Sequence, residues 1–123
     1  MADKKLILCV DDDADILDQL KIVLEKNGYR FAGASSAKTA VEVYRKEKPA
    51  LIIVDLMMEE VDAGAQLVKQ LKAMGNQAPV YMLSAVGEQL GQTVSPSELG
   101  LSGVFQKPLD FNSLLNTLKT RLP

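Results

Sequence analysis

Leu6-Ile7-Leu8-Cys9-Val10, followed at once by Asp11-Asp12-Asp13, decides how this chain folds. An apolar run of five residues is too short for a helix, and it lacks the polar alternation of a strand with one wet face. It therefore predicts a strand covered on both faces, with acids gathered at its carboxyl end. The pattern recurs at 51–54, closed by Asp55, and at 80–83, closed by Ser84. Phe31-Ala32 is a weaker strand candidate, and Gly103 to Gln106 is a fifth, running into Lys107.

Between these runs the apolar spacing becomes helical. Ile16, Leu17, Leu20, Val23 and Leu24 form one stripe, Ala37, Ala40, Val41 and Tyr44 a second, and Leu67, Val68, Leu71 and Met74 a third. Asn27-Gly28 can close the first helix, Ser35 or Ser36 can cap the second, and Asp110 can cap a last helix carrying Phe111, Leu114, Leu115, Leu118 and Leu122. Fully apolar strands alternating with amphipathic helices predict an α/β fold, an open five-stranded parallel sheet with helices on both faces, because parallel strands need helical crossovers. Gly91, Ser95-Pro96, Gly100 and Gly103 interrupt the remaining segment, so the helix between the fourth and fifth strands is expected to be short or irregular.

The 123 residues and 47% hydrophobic content fit one domain over 1–123 with one sizeable core. A formal charge of −2 argues against direct nucleic-acid binding, which favours clustered basic surfaces. No apolar run approaches the roughly 20 residues that span a bilayer, so no membrane association is expected. The single cysteine, Cys9, lies inside an apolar run and reads as a core residue. A cytoplasmic protein is the expectation, since the run after Met1 to Lys5 is too short for a signal peptide.

In open parallel sheets, ligands sit outside the carboxyl ends of the strands. Asp11, Asp12 and Asp13, then Asp55, Ser84 and Lys107, all follow predicted strands there. Carboxylates converging from two strands repel unless a cation neutralises them, and Mg²⁺ suits an all-oxygen donor set of one or two carboxylates. Asp13 and Asp15 read as acids favouring the first helix N-terminus rather than as ligands.

Val-Asp-Asp-Asp at 10–13, Val-Asp-Leu-Met-Met at 54–58, Ser84-Ala85 and Gln-Lys-Pro at 106–108 together resemble bacterial response-regulator receivers of two-component signalling, of the chemotaxis-regulator kind. The resemblance implies a flavodoxin-like strand order, 2-1-3-4-5. It also implies that Asp55 accepts a phosphoryl group from a histidine kinase, a phosphotransfer protein or a small phosphodonor. Mg²⁺ would be held by Asp11, Asp12, Asp55 and the backbone carbonyl of Met57. Lys107 would pair with Asp55 before transfer and with a phosphoryl oxygen after it, while Ser84 would donate to another oxygen. The chain would then act on a downstream protein, leaving a homodimer open, and would catalyse only its own phosphorylation and slow dephosphorylation.

Departures from the family pattern fall on the signalling side. Glu59 stands where proline is usual, Ala63 precedes Gly64, and the spacing from Ser84 to Lys107 is one residue longer than usual. Val104 occupies the position of the family's rotating aromatic, while Phe105 alternates to the other face. Met57 and Val86 are apolar where the family's polar side chains help to orient the hydrolytic water. Three other readings compete. A haloacid-dehalogenase-type phosphatase would place its nucleophile at Asp11 and need a cap or longer core. A flavodoxin-like carrier would need a phosphate-cradling loop where three aspartates stand. A degenerate receiver would work unphosphorylated as a binding module.

Overall fold

Strands without a polar face must be covered on both sides, and the computed structural model, which describes residues 4–55, 63–84, 100–107 and 109–122, has that arrangement. The elements run β1 (Leu6–Val10), α1 (Ala14–Lys26), β2 (Arg30–Ala34), α2 (Ala37–Glu47), β3 (Leu51–Asp55), α3 (Ala63–Ala73), β4 (Val80–Ser84), β5 (Gly103–Gln106) and α4 (Phe111–Arg121). All pairings are parallel, in the order β2-β1-β3-β4-β5, as the family resemblance implies. The 86–103 segment, where a short or irregular helix is expected, lies outside the described residues up to 99.

The two-residue period of a strand divides the core into two halves. Leu8, Val10, Ile52, Val54 and Met82 face the side covered by Ala40 and Val41 of α2 and by Leu67, Val68 and Leu71 of α3. Ile7, Cys9, Leu51, Ile53 and Leu83 face Leu20 and Leu24 of α1 and Leu114 and Leu118 of α4. β1, β3 and β4 are buried along their whole length, whereas the edge strands β2 and β5 are only half covered. That difference explains why Phe31-Ala32 reads weakly in sequence. On β5, Phe105 packs inward against the second half while Val104 points out, 42% exposed.

Helix ends orient the chain toward the site. The Asp13 side chain caps α1 by accepting the backbone N–H of Asp15, and Ser36, rather than Ser35, caps α2 by accepting that of Thr39. Asp110 caps α4, accepting from Asn112 and Ser113. After α1, Gly28 takes a positive φ of 89°, which allows Tyr29 N–H to reach Leu24 O at 3.0 Å and Gly28 N–H to reach Glu25 O at 3.4 Å. This paired closure needs a left-handed residue, for which glycine carries no steric penalty. Strand order reverses between β1 and β3, so the crevice outside their carboxyl ends is where a ligand site is expected.

Candidate functional site

Each functional side chain is set by a strand end. The Asp11 N–H donates to Ala34 O at 3.0 Å, extending the β1–β2 ladder one residue beyond β1. Its Oδ1 accepts the backbone N–H of Asp13 at 2.9 Å, which ties the carboxylate to the turn leading into α1. Asp55 ends β3, and Asp11 and Asp55 are buried, at 1% and 2% exposure, whereas Asp12 faces solvent. Asp11, Asp12 and Asp55 each offer a carboxylate oxygen, and these lie within 4.8 Å of one another. Ser84 is buried at the end of β4, and its carbonyl accepts the Lys107 N–H at 2.8 Å, continuing the β4–β5 ladder.

That ladder bond aims Lys107 back across the strand ends. Its ammonium Nζ lies 3.2 Å from Asp55 Oδ1 and 3.4 Å from Asp11 Oδ2. Burial alone would lower the lysine's pKa, but Asp11 and Asp55 together outweigh it and hold the ammonium above its ordinary value of 10.5. Cys9, one turn of the pleat away on the α1 side, is fully buried, and burial followed by the charge of Asp11 pushes its thiol pKa up. It is a packing residue, not a nucleophile.

The residues singled out from sequence therefore meet in one place: Asp11, Asp12, Asp55 and Lys107 directly, with Ser84 on the adjoining strand end. Met57 lies outside the described residues. Asp13 is a helix cap rather than a member of the cluster. Sequence reasoning missed the Lys107–Asp11 ion pair, which spans the sheet from β5 to β1 and leaves no mark in local spacing. The donor set fits a hard divalent cation: carboxylate oxygens only, two of the carboxylates buried, all close enough to share one ion.

The sequence model of the Response regulator receiver domain matches residues 7–119. The chain belongs to the response regulator receiver family. Among curated relatives, Sporulation initiation phosphotransferase F of Bacillus subtilis (strain 168) is 32% identical over 117 residues, covering 95% of this chain and 93% of that protein. Chemotaxis protein CheY of the same organism is 32% identical over 117 residues, covering 94% of this chain and 96% of the relative. Among solved structures, the CheY-like receiver domain protein from Methanospirillum hungatei JF-1 superposes with a TM-score of 0.87 at 27% identity, over 97% of this chain and 94% of that one.

The receiver is thus a phospho-acceptor of two-component signalling, and receivers take their phosphoryl group from histidine kinases or phosphotransfer proteins. The family carries a divalent-metal site, with which the aspartate cluster is compatible. Neither the relatives nor the geometry favours the phosphatase or the unphosphorylated binding module. No helix among the described residues is long and apolar enough to cross a membrane.

The electrostatics set a stability prediction. Lys107→Met leaves two buried carboxylates without their cation, so metal-free stability should fall by about 1–3 kcal/mol. Because the folded pKa of Lys107 is raised, its contribution is complete below pH 10.5 and is lost only as pH rises through the higher folded value. The gap between wild type and variant should therefore stay constant from pH 7 to about 10 and close above it. Asp11→Ala should also destabilise the metal-free protein, since Asp11 holds Asp13 N–H and Lys107, whereas loss of exposed Asp12 relieves repulsion at no structural cost. Urea unfolding in EDTA checks this, and equal destabilisation by Asp11→Ala and Asp12→Ala would contradict it.

Proposed function

We propose that Asp55 is the carboxylate that receives the phosphoryl group, that Asp11 and Asp12 hold Mg²⁺ beside it with the Met57 carbonyl, and that Lys107 and Ser84 steady the phosphoryl oxygens. The observation that carries this reading is the shared ammonium, 3.2 Å from Asp55 and 3.4 Å from Asp11. A carboxylate attacking an anionic phosphoryl group meets like charge, and a fixed cation between the nucleophile and its acidic neighbour offsets that repulsion. Phosphoryl transfer asks a protein mainly for positioning and charge neutralisation, so these side chains suffice without a separate general base.

An Asp55 oxygen forms the new bond to phosphorus. The bond to the donor breaks, whether to a phosphohistidine nitrogen or to the bridging oxygen of a small acyl phosphate, and its electron pair leaves with the donor. Lys107 exchanges its Asp55 contact for a phosphoryl oxygen, which its compact charge and rotatable donors permit. The Ser84 hydroxyl donates to another phosphoryl oxygen from the neighbouring strand end. Bound Mg²⁺ supplies neutralisation of the phosphoryl oxygens. These 123 residues contain no histidine, so they do not themselves supply a phosphohistidine donor. A cytoplasmic setting, with signal passed to a downstream protein, fits this role.

Incubation with acetyl phosphate and Mg²⁺ should add one phosphoryl group, read by intact-mass measurement. Asp55→Asn should abolish the adduct and EDTA should suppress it. An adduct of equal yield in either condition would refute the assignment.

On this reading the chain catalyses nothing beyond its own phosphorylation and slow dephosphorylation. Met57 and Val86 offer no strong hydrogen-bond acceptor to orient a water for in-line attack, and orientation supplies part of the barrier reduction. Phosphate release after donor removal should be slow and should quicken in the Met57→Asn/Val86→Glu double variant. Loss within seconds in the wild type, or an unchanged rate in the variant, would overturn this.

A further inference from the structure

At the opposite end of the sheet from Asp55, a cavity of about 320 Å³ opens between the C-terminal ends of α3 and α4 and the starts of β4 and β5. β4 separates the two places: Val80 lines the cavity and Ser84 ends at the phospho-acceptor site, about 13 Å away at the rise of a strand. Among the described residues, the ionisable groups that line the cavity are Lys72 and Arg121, with no acid. A second hollow of about 330 Å³ shares Asn76, Gln77 and Ala78 and adds Arg45 and Lys48, with no acid among the described residues that line it. Lys48 closes α2 with a left-handed φ of 49°, its N–H donating to Tyr44 O at 3.1 Å.

The cavity is also braced. Arg121 Nε donates to the Tyr81 hydroxyl at 2.8 Å, which leaves the two terminal guanidinium nitrogens to act as a fork. Tyr81 is itself buried and stacked on Phe105 with ring centres 5.2 Å apart, and its ring fits only because Gly103 lacks a side chain. A Cβ at Gly103 would come within 2.8 Å of that ring. Asn76 spends its amide on the backbone of Ala78, donating at 3.0 Å and accepting at 3.1 Å, which stiffens the floor. Lys72 Nζ hangs beside Gly100, 3.9 Å from where a side chain there would begin.

We propose that this basic cleft, centred on Lys72 and Arg121, binds a small phosphate-bearing anion at a site separate from the phospho-acceptor carboxylate. Last-turn cations commonly serve the negative ends of helix dipoles, and both residues have that role here. Dipole compensation does not, however, require an arginine braced by a buried tyrosine, or two cations lining one cavity with no acid among its described residues. The same dipoles repel an anion, so binding is weak.

Titration of the isotope-labelled full chain with inorganic pyrophosphate, in metal-free buffer at fixed ionic strength, tests the proposal through backbone amide shifts. Saturable shifts centred on Lys72, Gln77 and Ser102 are expected, with half-saturation on the order of 1 mM. Lys72→Gln and Arg121→Gln, both exposed, should each weaken binding about tenfold, equivalent to 1.4 kcal/mol. Tyr81→Phe, which keeps the ring and frees the guanidinium, should weaken it less, and Asp55→Asn should leave it unchanged. Shifts that grow linearly and are matched by sodium chloride, that centre on Ser84 and Lys107, or that persist in the Lys72→Gln/Arg121→Gln double variant would each overturn it.

Discussion

The ammonium of Lys107, shared between Asp55 and Asp11, is the interaction on which the site depends. Two ionised carboxylates about 5 Å apart repel by on the order of 3 kcal/mol at the effective dielectric of partly buried protein charges. Both acids here are nearly inaccessible, so water cannot screen them freely. One cation reaching across β3 toward β1 makes their convergence tolerable. Lys107 reaches them because its backbone N–H is held by the Ser84 carbonyl, and Ser84 is held by the β4–β5 register. Charge balance at the strand ends thus follows from the order in which the strands are paired.

Much of this was legible in the chain. β1, β3 and β4 announce themselves because burial on both faces removes every polar position, and the residues that stop them are the functional ones. β2 is harder to read, since an edge strand half open to solvent tolerates Arg30 and Gly33 and loses its apolar signature. Ser36 and Ser35 are equivalent in sequence, and the local dihedrals decide between them. Asp11 and Asp12 are adjacent and chemically alike, yet one is buried and bonded to the turn while the other faces solvent. Nothing in a run of three aspartates distinguishes them, because the distinction arises from the direction of the chain as it leaves β1. The contact between Lys107 and Asp11 joins residues 96 positions apart in sequence and depends on topology alone.

The same architecture gives the molecule two unlike ends. Parallel strands with helical crossovers send the helix N-termini toward the aspartates and the helix C-termini toward the other end of the sheet. Asp13 and Asp110 cap helices at the first end, and Lys26, Arg45, Lys46, Lys72, Lys119 and Arg121 stand in last turns at the second. Acids near N-termini and cations near C-termini both lower the energy of the helix dipoles. The acidic end collects the carboxylates needed for phosphoryl chemistry, and the basic end carries the braced arginine beside Tyr81.

Between the two ends, β4 and β5 join Ser84 and Lys107 to Tyr81 and Gly103 through one continuous register. Whether the shared ammonium truly couples the acceptor strand to β5 is a question for a double-mutant cycle. Metal-free unfolding free energies of wild type, Lys107→Met, Asp55→Asn and the double variant measure it directly. A coupling energy of at least about 1 kcal/mol between Lys107 and Asp55 is predicted, whereas additivity within about 0.3 kcal/mol would contradict the account.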